Sequence, residues 1–120
     1  MKVLSKLLIA AAISGLAVTT GSANDLVKKG EKIFTTKKLG NCVACHAVNG
    51  KDKVNNMGPG SFGKELSALK YYPEDLLYKI IYDPYTALKK PITQMPAFGK
   101  SGQLDDSEIK AVVAYLKTVE

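Results

Sequence analysis

Arginine and tryptophan are absent from this chain of 120 residues, histidine occurs once and cysteine twice. Without arginine there is no planar guanidinium fork for bidentate readout of bases or phosphates, so nucleic acid is not an expected partner. The seventeen lysines read instead as a solvated surface. Two cysteines build no disulfide framework, and with the lone His46 they fall short of the four nitrogen or sulfur ligands of a structural zinc site. Long apolar runs are also missing. The most apolar stretch, Leu7 to Val18, is about a dozen residues, well under the roughly 20 that span a bilayer.

That stretch follows Lys2 and Lys6 and ends in Thr-Thr-Gly-Ser-Ala, the layout of a secretory signal peptide. The expected division is 1–23 as signal peptide, with cleavage after Ala23, and 24–120 as one domain. No cysteine stands at the cleavage point to carry a lipid, so no stable membrane anchor is expected and the periplasm is the expected compartment. Cleavage removes two lysines and no acid, which lowers the formal net charge from +6 to +4. A domain this small buries only about 60 to 70% of its unfolded surface, so its side chains alone make a marginal core.

Helical periodicity marks both ends. Asn24 can cap a helix from Asp25, with Gly30, Ile33 and Phe34 on one face. A mid-helix glycine costs about 1 kcal/mol against alanine, so Gly30 implies that another helix crosses closely there. Near the other end, Asp105-Asp106-Ser107-Glu108 precedes an apolar stripe of Ile109, Val112, Val113 and Leu116 with Tyr115 beside it. Between them Pro73 opens a middle helix, with Glu74 and Asp75 in its first turn, an apolar face of Leu76, Leu77, Ile80 and Ile81, and a stop at Pro84 just beyond Asp83. No alternating strand pattern is visible, so the expected fold class is all-α.

The chemistry lies in Cys42-Val43-Ala44-Cys45-His46. Two thiols three apart followed by an imidazole form the c-type haem attachment motif. The thiols would add to the two vinyl groups of one haem c, and His46 would be the proximal ligand of its iron. A thioredoxin-like redox pair wants a βαβ setting that this chain lacks. A Cys42–Cys45 disulfide would close a very small loop and stabilise little.

A sixth ligand would decide between electron carrier and catalyst. With one histidine, methionine is the remaining ordinary axial ligand. Met95 lies in Gln-Met-Pro-Ala-Phe-Gly, where Pro96 and Gly99 favour a fixed loop, whereas Met57 lies in Asn-Asn-Met-Gly-Pro, nearer the motif.

Gly30 and Phe34 before the motif, Gly58-Pro59 after it, Met95-Pro96 and Tyr115-Leu116 together resemble the pattern of class I cytochromes c over nearly the whole mature chain. The resemblance implies that terminal helices cross with Gly30 and Phe34 against Val112 and Tyr115. It also implies that Met95 closes the iron and that the Pro59 carbonyl holds the His46 imidazole. A narrower resemblance, carried by Gly40-Asn41-Cys42, Met57-Gly58-Pro59-Gly60-Ser61-Phe62, Ile81-Tyr82-Asp83-Pro84 and Met95-Pro96-Ala97-Phe98-Gly99, is to SoxX, the small monohaem subunits of SoxAX cytochromes. It implies a larger SoxA-type haem subunit as partner. The complex would couple thiosulfate oxidatively to a carrier-protein cysteine, with a downstream cytochrome or oxidase as electron acceptor. This chain has no third cysteine, so it would serve as a non-catalytic electron-transfer subunit. The alternative is a free-standing soluble carrier that delivers electrons to a terminal oxidase or reductase. Phe62, Tyr71, Tyr72, Tyr82 and Tyr85 are candidates for a docking patch.

Overall fold

The computed structural model describes residues 22–48 and 63–120, and they form four α-helices, two 3₁₀ turns and no strand. A single isolated bridge joins Val48 to Leu66. The expected all-α class is therefore what these residues adopt.

The first helix, α1, runs Ser22–Thr35. It begins two residues before Asn24, which lies in its first turn rather than at its cap. The expectation of a cap assumed a chain starting at Asn24; with Ser22 and Ala23 present, the helical turn extends over them. The last helix, α4, runs Asp106–Leu116 behind a complete capping box: Asp105 accepts from the Glu108 N–H at 2.8 Å, and Glu108 accepts from the Asp105 N–H at 3.3 Å. Ile109, Val112, Val113 and Leu116 are buried as the stripe requires, and Ala111 joins them.

Where α1 and α4 cross, Gly30 has no room for a side chain. A Cβ there would be driven into the Ala111 carbonyl and to 2.9 Å from the Tyr115 Cβ. The crossing expected from Gly30 is thus present, with Ala111 rather than Val112 as its nearest neighbour. One turn on, Phe34 is 1% exposed, and its ring meets that of Tyr115 at 5.3 Å between centroids and 58° between planes. Tilted aromatic pairs of this kind add to the apolar burial itself.

The middle helix, α2, runs Glu74–Tyr82 with Pro73 at its cap; it buries Leu77 and Ile81 and half-buries Leu76 and Ile80. The Tyr78 hydroxyl donates to Asp106 at 2.8 Å and so ties α2 to the start of α4. Pro84 does end α2, but it also opens a short helix, α3, over Pro84–Ala87, for which Asp83 is the cap. The 3₁₀ turn Leu69–Tyr71 is fastened to the chain's end. The Lys117 ammonium donates to the carbonyls of Lys70 at 2.6 Å and Tyr72 at 2.5 Å, and the Lys70 N–H donates to Val119 at 3.2 Å. α1, α2, α4 and the Leu69–Tyr71 turn meet in one core, in which Phe34, Leu69, Ile81, Phe98, Ile109 and Leu116 are buried.

Candidate haem site

Behind α1 the chain turns sharply. Gly40 and Asn41 both donate to the Ile33 carbonyl, and Asn41 adopts a left-handed conformation at φ 49°, which asparagine tolerates better than most residues. This starts the 3₁₀ turn Cys42–Ala44, closed by hydrogen bonds to the Cys42 carbonyl from Cys45 at 3.1 Å and His46 at 2.8 Å. The five motif residues therefore share about one turn of backbone, as attachment of two sulfurs to one ring demands. Both cysteines are free, Cys42 half-buried and Cys45 exposed. Burial pushes the Cys42 thiol up to about 12, so it is neutral at pH 7. Desolvation penalises a thiolate but not the neutral sulfur of a thioether. Among the described residues no three His, Cys, Asp or Glu side chains gather to hold a metal ion.

The His46 Nδ1 lies 2.7 Å from the Lys64 carbonyl. A carbonyl only accepts, so Nδ1 carries a proton, and in the neutral ring this leaves the Nε2 lone pair to a metal. The Lys64 carbonyl makes this contact among the described residues; Pro59, whose carbonyl is expected to hold the imidazole, and Met57 lie outside them. Gly63 makes this approach possible, because a Cβ there would fall 2.7 Å from both the His46 Cε1 and the Cys45 carbonyl oxygen. Sequence reasoning missed Gly63 and Lys64. The glycine itself, eighteen residues beyond Cys45, was the available sign of a close backbone approach.

Two adjacent cavities open beside His46. One of about 310 Å³ has an apolar wall from Phe34, Leu69, Leu77, Ile81, Val112 and Leu116; the other, of about 410 Å³, is lined by Cys45, Lys90, Thr93 and Pro96 among others. Both are in the size range of small-molecule sites. Cys42, His46, Lys64, Leu88 and Met95 line both, so the methionine expected as sixth ligand and the histidine expected as fifth border the same space. A larger groove of about 610 Å³ between α1, α2 and α4 shares no residue with either. A flat apolar macrocycle with a central iron fits this donor set: two sulfurs at its rim, an imidazole with a free Nε2, a thioether, and hydrocarbon walls contributed by helices from both ends of the chain.

Comparison with known proteins agrees. The profile of the family described as Cytochrome c matches residues 27–120. A protein of Aquifex aeolicus (strain VF5) described as an uncharacterized lipoprotein is 34% identical over 107 residues, which cover 83% of this chain. The match spans 48% of that protein, so the chain corresponds to about half its length. With the motif, the cleft and the family profile in agreement, the chain belongs to the cytochrome c family, with the all-α fold of its class I members and one covalently bound haem c.

Proposed function

We propose that this protein is the monohaem electron-transfer subunit of a SoxAX-type, thiosulfate-oxidising complex in the periplasm, with its iron held by His46 and Met95. The observation that carries the electron-transfer reading is that these two side chains border the same cavities, leaving no other described histidine or methionine to compete for the iron. The bound haem supplies one-electron exchange between Fe(III) and Fe(II). Cys42 and Cys45 hold the ring covalently, and the Lys64 carbonyl fixes the imidazole tautomer. The walls from α1, α2 and α4 exclude water, and such burial together with the axial ligands sets the potential.

Motif resemblance and the rim of the cleft both support the subunit reading. Leu88, which lines both cavities, is 41% exposed; Tyr72, on the cleft wall, is 40% exposed; and Ile92, four residues after Leu88, is 83% exposed. Apolar side chains left in water at the edge of a redox site suit a lasting interface with a larger SoxA-type partner. The lipoprotein description of the Aquifex relative supports a place outside the cytoplasm. Among the described residues no helix is long and apolar enough to cross a membrane.

Lys64 and Lys90 at the mouth of the second cavity favour the other reading, a free carrier steered electrostatically to an acidic oxidase or reductase. Gel filtration of native extract separates the two. A subunit co-elutes with a larger haem protein at moderate salt, because apolar burial is not screened. Elution alone, with salt-sensitive reduction of an oxidase, would establish the carrier.

A further inference from the structure

Asp83 is the one buried side chain among the described residues that is polar or charged. It lines none of the three cavities described above, yet its carboxylate is fully engaged. One oxygen accepts from the backbone N–H groups of Tyr85 at 3.2 Å and Thr86 at 3.4 Å, and the other accepts from the Thr86 hydroxyl at 2.8 Å and the Lys100 ammonium at 3.3 Å. These partners lie on opposite sides of the segment that carries Met95: Tyr85 and Thr86 precede it, and Lys100 follows it.

The neighbouring residue repeats the arrangement. The Tyr82 carbonyl accepts from the Lys100 N–H at 3.0 Å, and its ring lies so close over Gly99 that any Cβ there would overlap it. Within the segment the tie continues toward the methionine. The Tyr85 hydroxyl donates to the Thr93 carbonyl at 3.2 Å, and the Thr93 hydroxyl accepts from the Met95 N–H at 3.1 Å. Residues 88–99 contain no regular helix, so these few hydrogen bonds stand in for a ladder.

We propose that Asp83 is a positioning residue for Met95, a clasp that closes both ends of the 88–99 loop and so holds the thioether against the cavity that His46 borders. This rests on the reading of Met95 as sixth ligand. It separates Asp83 from an ordinary helix cap: α3 has only four residues, and a cap for it alone has no need of Lys100.

The test uses the holoprotein and two signals in one thermal ramp, the near-infrared sulfur-to-iron band and the far-ultraviolet helix signal, together with an imidazole titration of the oxidised form. In Asp83→Asn the band should vanish well below the helix midpoint, and imidazole should bind about tenfold more tightly, the size of effect expected for one lost hydrogen bond to a charged group. Lys100→Met should move both readouts in the same direction by less, and it carries the test if Asp83→Asn does not fold. Asp106→Asn, which loses the ion pair with Lys110 and the charge that strengthens the Tyr78 hydrogen bond, both away from the loop, should lower the helix midpoint without advancing loss of the band. Band and helix melting together in the Asp83 and Lys100 variants, with unchanged imidazole affinity, would overturn the clasp. A band that survives Met95→Ala would instead overturn the ligand reading on which it rests.

Discussion

The two sides of the haem cleft are held by different physics. On one side, α1 and α4 press together through Gly30, Phe34, Ala111 and Tyr115, by close backbone approach and ring packing. On the other, the Met95 loop has no regular element: Phe98 anchors its end in the core, and the rest hangs on hydrogen bonds that converge on Asp83 and Thr93. Packing of the first kind is spread over many atoms, so it resists local opening and fails only with the whole fold. The second kind is a handful of polar contacts that can open by themselves. The contrast suits a centre whose attachment must be permanent while its sixth ligand sets the potential.

Breaking the packed side should have the largest effect. Phe34→Ala should cost roughly 3 to 5 kcal/mol of stability, and Gly30→Val should also destabilise, by about 1 to 3 kcal/mol or more, because its added carbons meet backbone rather than a movable side chain. Denaturant unfolding followed by far-ultraviolet dichroism measures both, and the near-infrared band should persist in each below its midpoint. A wild-type midpoint for Gly30→Val would show that the crossing can spread at no cost.

Met95→Ala should do the reverse. The band should disappear and the potential should fall in a redox titration, since the axial ligand is the protein's main lever on it. The helix midpoint should drop less than in Phe34→Ala, because Met95 is only half-buried. Cys42→Ala tests the covalent attachment: haem should extract more readily into acid acetone than from the wild type, in which it stays with the protein.

The comparison was partly legible in the sequence, and the two sides differ in this as well. A glycine out of place in a helix, an aromatic one turn on and a periodic stripe near the chain's end are local signatures, and they place the crossing within one residue. The clasp left no such mark. Asp83 and Lys100 lie seventeen residues apart, and no period connects them. The Asp83-Pro84 pair marks the end of α2 by the usual rule for proline, but Asp at a cap and Pro at the first helical position equally announce the start of α3. The Lys64 carbonyl was illegible for a plainer reason: any residue has a carbonyl, and only the fold says which one faces His46.

Acid should produce the smallest effect and sharpen the contrast further. The Thr86 hydroxyl and backbone, with Lys100, hold the Asp83 carboxyl below its usual range. The Glu108 N–H and Ser107 do the same for Asp105, and Lys110 and Tyr78 for Asp106. A depressed carboxylate stabilises the fold above its unfolded pKa, and this contribution is lost as pH falls through the lower folded value. The thermal midpoint should therefore be flat from about pH 7 to 5 and fall below about pH 4. Asp83 serves the loop, whereas Asp105 and Asp106 serve the start of α4, so acid should weaken the near-infrared band and the helix signal over the same range. In Asp83→Asn only the acid loss of the band should shift; a helix signal that shifts with it would mean that the two sides are one cooperative unit.

Cys42 has a consequence for the order in which the protein is made. In the folded chain its thiol is half-buried and held near a pKa of about 12, which leaves almost none of the reactive thiolate at neutral pH. The attachment motif needs only its own turn of backbone, whereas the cleft walls need Phe34 and Leu116, from opposite ends of the chain, to meet. In a chain that folds first, Cys42 faces the cleft as an unreactive neutral thiol, so thioether formation should be slower in the folded haem-free protein than in the unfolded chain, which the rate of covalent haem uptake by each would measure.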